Sequence, residues 1–435
     1  MAIKRISLGR GAVHDGRAER EWEADVLIVG GAVGGASMAH ALAEYSIGSV
    51  LLERTARIAE INRGDVIQPL SLQLLDRWGI SPYIEEMGGF PLFEWNFYNP
   101  RIGHLATWDF SNLPGKFNHQ TILRHRRIHE ALYAAMKSKK NFITEQRGAN
   151  VTGVLFDDQA AVVVGLFGQQ DGVSFEARGR IIVAADGARS RLRAYLGIEQ
   201  EERYVYDHEY LMLTTPRPRV PEMERKGLQY VGRHGLTVLI PLDGGEEIRI
   251  PVQIPAGSLA EWRDISAAEL RHRLVLRAPV LEHVDTDAAM DKLSHTYPVG
   301  WLHSHEYVKH HVCLIGEAAH TVHPTTAQGM NMAILDAEML AAVIKRAIAV
   351  DGVSDQSLKR YERERRPVVE RVMETSHHQT LHHTACGVWH DIWGARLYRW
   401  DQDEAVKKEI SIEIAGLNNP TSRDLKILEE VGLAG

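Results

Sequence analysis

Three short stretches of this chain carry residue types that can do chemistry together. The first is Gly30-Gly31-Ala32-Val33-Gly34-Gly35. A turn that cradles a dinucleotide needs small residues at three points. The first glycine makes the bend, the second lets backbone approach the pyrophosphate, and the third lets a helix pack on a strand. Gly30 and Gly35 fit the first and third roles, while Ala32 stands at the middle position, with Gly31 and Gly34 beside it to relax the loop. A helix opening here would offer unpaired N–H groups and its positive end to an anion. Glu53, followed by Arg54, ends the next apolar run, where a carboxylate accepts from ribose hydroxyls and repels a 2′-phosphate. Taken alone, the stretch also fits a glycine-rich structural turn beside a surface acid.

The second stretch is Ala185-Asp186-Gly187-Ala188-Arg189-Ser190-Arg191-Leu192-Arg193, directly after an apolar run. Asp186 there can cap a helix, bind a ligand, or do both. The third begins at Gly316-Glu317-Ala318-Ala319-His320 and continues through His323-Pro324 and Gln328-Gly329-Met330-Asn331 to Asp336-Ala337. Gly329, Met330 and Asn331 would open a helix whose N–H groups suit a negatively charged edge.

The elements that must position these stretches are legible from periodicity. Residues 25–29 and 49–53 are short apolar runs expected as buried parallel strands, with a helix over 36–45 between them in a right-handed β-α-β unit. Residues 79–119 show no clean period, and 125–137 reads as a helix. Strands are expected at 151–156, 161–167, 173–177 and 180–185. Residues 204–255 suggest a separate antiparallel sheet, turning at Asp243-Gly244-Gly245. Residues 312–316 repeat the strand-then-glycine pattern, a helix follows over 328–348, and the remainder is mainly helical.

The expected fold class is α/β, with a Rossmann-like dinucleotide domain assembled from residues 25–80, 120–200 and 305–348. An antiparallel-sheet substrate domain from 81–119 and 201–304 is interleaved with it, and 349–435 forms a C-terminal helical segment. Residues 1–24, polar and charged, are expected as a loose extension.

In this order, and with the helix motif Tyr361-Glu362-Arg363-Glu364-Arg365-Arg366-Pro367, the three stretches resemble the group A FAD-dependent aromatic monooxygenases typified by para-hydroxybenzoate hydroxylase. The resemblance covers most of residues 25–370. It implies FAD as cofactor, with Gly30, Ala32, Gly34, Gly35, Glu53 and Arg54 around its ADP half. It further implies Arg63 near the pyrophosphate and flavin, Arg124 before the next helix (with His125 an equally defensible register), and Asp186 and Gly187 at the Asp-Gly motif. At the third stretch it implies Gly316, Glu317, Pro324, Gly329, Met330 and Asn331. Three departures stand out: Ala32, Ala327 where the family commonly has glycine, and Glu317 where it usually has the shorter aspartate. The implied reaction uses NADH or NADPH and O₂ to hydroxylate an electron-rich aromatic or heteroaromatic molecule through a C4a-hydroperoxyflavin. No second complete dinucleotide turn is visible, so the nicotinamide is expected to bind transiently. Two alternatives remain at this stage: a flavin oxidoreductase of the same fold without oxygen insertion, and a non-catalytic FAD-binding protein.

Of the 435 residues, 44% are hydrophobic and 25% charged, an ordinary globular balance, and the formal net charge of −7 argues against a nucleic-acid surface. Cys313 and Cys386, the two cysteines, lack metal or disulfide spacing, which points to a reducing, cytoplasmic setting. No apolar window is long enough to span a membrane. His378 and His382 share a helix face, yet with no Glu between them and no third ligand the expectation is an exposed or interface helix rather than a metal site. Trp389, Trp393 and Trp400 could form a partner or homo-oligomer surface or seal the pocket. Aromatic residues over 90–117 are expected mainly to fill the interface between sheet and cofactor domain. His295, His303 and His305 are candidate bases by type alone, and catalytic residues beyond the flavin-adjacent Arg63 and Pro324 are not identifiable.

Overall fold

The computed structural model describes residues 3–9, 18–58, 64–113, 115–223, 226–384 and 388–414. Its centre is a sheet built from runs that are buried on both faces. Val26–Val29, Ile181–Ala184 and Val312–Leu314 are fully buried and rich in β-branched side chains, as a parallel sheet covered on both sides requires. The strand order is Ile143–Arg147, Ser49–Glu53, Val26–Val29, Ile181–Ala184, Val312–Leu314 and Val308–Lys309, with only the last running antiparallel. This order lays the carboxyl ends of the three motif-bearing strands side by side. Each expected turn therefore emerges at the same edge.

The helix after the first strand runs Val33–Glu44, three residues earlier than the apolar pattern suggested. The glycines that weaken helix propensity here are the residues small enough to pack, and tertiary contact overrides propensity. It packs against the helix Gly329–Arg346.

The domain expected as antiparallel is an eight-stranded sheet that is antiparallel except where Gly227–Gly232 pairs parallel with Glu94–Asn99. Its order is His320–Thr321, Ser294–Ser304, Gln200–Pro216, Glu247–Pro255, Gly235–Leu242, Gly227–Gly232, Glu94–Asn99 and Gly103–Asp109. The stretch without a clean period thus contains two of its strands. Both bury consecutive residues, Trp95-Asn96-Phe97 in one and Leu105-Ala106 in the other, because this end of the sheet is covered on both faces. The long helix Asp355–His383 and the helices Val388–Asp401 and Glu404–Ile414 form the C-terminal helical segment.

The expectation of a loose N-terminal extension is corrected. Ile3–Ser7 pairs antiparallel with Ala149–Asp157, and Arg20–Glu23 pairs parallel with Val173–Arg178, so both rims of the Ala149–Arg178 meander are occupied. Strands of four and five residues with mixed charge carry too little alternation to be read locally, and their pairing partners lie more than a hundred residues away. Among the described residues, no helix is long and apolar enough to cross a membrane.

Buried histidines give this fold an acid sensitivity. His40 bonds Leu132 O at 2.9 Å, tying Val33–Glu44 to the helix His125–Met136; burial, partly offset by that bond, holds its pKa down to about 4. Burial, aided by His125 and Arg147, lowers His129 to about 3. Burial, aided by His320 and Arg366, does the same for His303. A folded-state pKa below the unfolded value of about 6.5 means that the unfolded chain binds more protons on acidification. Stability is therefore complete above about pH 6.5 and is lost as pH falls toward the folded values. The urea midpoint is expected to fall steadily between about pH 6.5 and 4, more shallowly in His129→Gln. A flat midpoint across that interval would contradict the assignment.

Candidate active site

The glycine turn is tight because other groups already fill the space around it. Gly30 has φ +102°, and a Cβ there would lie 2.3 Å from Ala185 O, so the first and second motifs touch through backbone. A Cβ on Gly35 would lie 1.8 Å from Gly30 O. At Gly31 it would meet the Tyr133 hydroxyl at 2.1 Å, and that hydroxyl donates to Gly31 O at 2.8 Å. Ala32 has ordinary extended backbone (φ −66°, ψ −179°) and its methyl faces the cleft. Glycine's conformational freedom is therefore needed at Gly30, not at the middle position.

Glu53 accepts from Gly31 N at 2.6 Å through one oxygen and from Thr55 N at 2.8 Å through the other. Its carboxylate is locked against the turn, at the end of the second strand as expected. Arg54 is exposed beside it.

At the second motif, Asp186 caps the helix Arg191–Tyr195. One oxygen accepts from Arg191 N at 2.9 Å, while Oδ1 is buried with no partner. Ser190 completes the cap by accepting from Arg193 N at 3.0 Å. The Arg193 guanidinium then bridges Ala188 O and Ala318 O, each at 2.8 Å, joining the second turn to the third.

The third motif rests on a buried polar cluster. Asp336 accepts from Gly316 N at 2.8 Å and His320 Nε2 at 2.7 Å with one oxygen, and from Arg365 Nε at 2.6 Å with the other. Burial pushes this carboxyl up, but His320 and Arg365 more than offset it and hold it down to about 2. The helix Gly329–Arg346 begins with no side-chain cap, and neither does Val33–Glu44, so two helix N-termini present amides toward the cleft. Asn331 contributes its side chain as well. Its carboxamide accepts from Gln68 N at 2.9 Å and donates to Val66 O and Ala327 O at 3.0 and 2.7 Å, so the side chain braces the loop.

One cleft of about 290 Å³ joins these turns to the eight-stranded sheet. Ala32, Gly34, Gly187, Gly316, Glu317, Pro324, Gly329 and Met330 line one side; Trp95, Trp108, Tyr210 and Met212 line the other; Gln379 and His383 enter from the long helix. The two candidate positions 124 and 125 are placed differently. Arg124 is held by Asp243 and Glu247, whereas His125 lines the cleft. Arg63 lies outside the described residues, as do Cys386 and the side chains of His295, Trp389 and Trp393. His303 is spent on Tyr307, at 2.7 Å, and His305 is exposed. Sequence reasoning missed the buried Asp65–Arg249 pair, at 2.9 Å, which ties the cofactor domain to the sheet.

Residues 23–376 match the family model described as FAD binding domain. The chain belongs to the FAD-dependent aromatic monooxygenase family. The flavoprotein is 27% identical over 361 residues to 6-methylpretetramide 4-monooxygenase of Streptomyces rimosus, covering 80% of this chain and 81% of that one. It is 26% identical over 343 residues to the FAD-dependent monooxygenase terD of Aspergillus terreus, covering 74% of this chain but only 54% of that relative, about half its length. The solved p-nitrophenol 4-monooxygenase PnpA of Pseudomonas putida shares the fold, with a TM-score of 0.76 at 20% identity over 92% of this chain and 99% of that one. FAD is thus the cofactor of this flavoprotein, and the orphaned Asp186 Oδ1 and the two uncapped helix ends fit a ligand rich in hydroxyls and phosphate.

The flavoprotein's departure at residue 327 has a conformational consequence. Ala327 sits in the left-handed region (φ 53°, ψ 33°), which costs an L-residue about 1–2 kcal/mol. Glycine would relieve this at a smaller entropic cost, so Ala327→Gly is expected to raise stability by about 0.5–1 kcal/mol. Equilibrium urea unfolding measures it, and a lower midpoint would show that the αL geometry is not the constraint.

Proposed function

We propose that the enzyme uses FAD, NADH or NADPH, and O₂ to hydroxylate an electron-rich aromatic or heteroaromatic small molecule. The observation that carries this reading is the continuous cleft: flavin-binding turns on one wall, and on the other Trp95 and Trp108 beside apolar strand residues. The names of the relatives agree, one of them acting on a phenol.

In this reading Gly30, Gly34, Gly35 and the Val33 helix end hold the pyrophosphate, with Glu53 on the ribose. Asp186 Oδ1, Gly187 and Glu317 face the cofactor's hydroxylated chain. Pro324, Gly329 and Met330 border the flavin ring, where the helix end favours the charge of the reduced state. Bound and reduced, FAD supplies the electrons that activate O₂; the protein supplies position and excludes water. Trp95 is fixed by its Nε1–H donating to Gln120 at 2.6 Å, and Trp108 packs on Phe97 at 4.2 Å between ring centroids, so both rings of this wall are held in place. Gln229 and Gln379 each present a buried carboxamide oxygen without a partner to this cleft, suited to a substrate O–H or N–H.

The test is NAD(P)H oxidation across a panel of phenols and heteroaromatics under ¹⁸O₂. Coupled incorporation of one labelled atom is the expected result, and Gln229→Leu is expected to raise KM about tenfold by removing a hydrogen bond worth about 1.5 kcal/mol. Peroxide without labelled product from every compound would favour the oxidoreductase reading instead.

A further inference from the structure

Tyr210 and Thr325 stand on opposite walls of the cleft, one on the strand Gln200–Pro216 and the other directly after Pro324. The Tyr210 hydroxyl lies 3.2 Å from Thr325 Oγ1, which lies 2.7 Å from His323 Nδ1. His323 Nε2 is 3.0 Å from His208 Nε2, and His208 Nδ1 is 3.2 Å from Asp207 Oδ1. Both histidines are buried, yet the Asp207 side chain at the end of the series is fully exposed.

The partners fix the polarity of the series. A carboxylate only accepts, so His208 carries its proton on Nδ1 and leaves Nε2 as acceptor. His323 must then donate from Nε2, which leaves its Nδ1 to accept. That assignment agrees with the Thr325 N–H donating to the same Nδ1 at 3.2 Å. Every donor from Tyr210 outward therefore points away from the cleft and toward solvent.

Resting on the phenolic reading above, we propose that Tyr210, Thr325, His323, His208 and Asp207 form a proton path that ionises the bound substrate hydroxyl and later returns a proton to the product. The substrate O–H bond breaks and its proton joins the Tyr210 oxygen. Tyr210 releases its own proton to Thr325, and Thr325 releases its proton to His323 Nδ1. His323 gives its Nε2 proton to His208 Nε2, and the His208 Nδ1 proton leaves through Asp207 to water. No electrons move and one phenolate remains, a better nucleophile toward oxygen. The reverse pass restores the starting tautomers. Tyr210 is the group at the substrate; His323 and His208 act through it.

The surroundings keep both rings neutral, as a relay requires. Burial holds His323 well below the usual histidine range, and His208, His377 and His383 push the same way. Burial also lowers His208, with Asp207 opposing. Tyr206, on the same strand, packs its ring 4.4 Å from His323, and His377 and His383 face the pair from the long helix.

Two measurements on the FAD-loaded enzyme decide the matter. In ¹⁵N-histidine-labelled protein, multiple-bond ¹H–¹⁵N spectra, assigned through His208→Gln and His323→Gln, are expected to show His208 protonated on Nδ1 and His323 on Nε2 at pH 7. The opposite tautomer at either ring, or a charged ring, would overturn the path. With a phenol the enzyme hydroxylates, His208→Gln is expected to lower kcat on the order of 10- to 100-fold with little change in KM. Its kcat should rise with pH where the parent's is flat, and added imidazole should recover part of the rate. An unchanged kcat and pH profile would also overturn it. If no phenol is hydroxylated, the proposed function fails, and the tautomers alone decide whether the path exists.

Discussion

Gly35→Ala is expected to yield a chain that folds but no longer retains FAD through purification. The added methyl would sit 1.8 Å from Gly30 O, a backbone atom that cannot turn aside, and 3.3 Å from Ala185 Cβ. The turn must open by more than 1 Å, an overpacking strain of about 1–3 kcal/mol. That opening moves the amides meant for the pyrophosphate. Carried into binding, the strain corresponds to a dissociation constant raised on the order of 100-fold. Quenching of FAD fluorescence on titration into apoprotein measures it. Gly48→Ala is the control, since a Cβ there meets nothing within 4 Å. Equal affinity in the two variants would show that the turn does not set cofactor binding.

Asp336→Ala is expected to cost about 3–5 kcal/mol of folding stability. The substitution strands the guanidinium of Arg365, itself fully buried, and removes the acceptor of both Gly316 N and His320. A charge left in the interior without its counterion is worse than no charge, so Asp336→Ala/Arg365→Met should be more stable than Asp336→Ala alone. Chemical denaturation of the three proteins tests this, and a double variant no better than the single would sink it. The same carboxyl sets an acid limit. With a folded pKa of about 2, below the ordinary aspartate value near 3.9, its contribution is whole above about pH 4 and disappears as pH falls toward 2.

These two residues mark what could be read from the sequence. Gly35 was legible in its role, because a strand, a glycine bend and a helix follow one another within a dozen residues and the chemistry of the bend is local. The central sheet was legible for the same reason: its strands are continuous apolar runs ending at glycines. Asp336 was visible as part of a motif, but its work was not, since Arg365 is supplied by a different helix. The partners of Asp65, Arg124 and His208 were hidden more deeply. Arg249, Asp243, Glu247 and His323 reach them across 115 residues or more, and which strand residues face inward depends on a register that the sequence does not display. The aromatic residues around Trp95 and Trp108 were expected mainly as filling, yet these two also form a wall of the cleft.

The N-terminal strands carry a practical consequence. Ile3–Ser7 and Arg20–Glu23 are the short, charged edge strands of a small sheet, and a chain cut after residue 24 would leave the longer Ala149–Asp157 and Val173–Arg178 as its edges, each with a row of unused amide and carbonyl groups. Such rows are templates on which a neighbouring copy can add its own strand, so clipping at this end exchanges short, charged edges for longer ones that can seed aggregation.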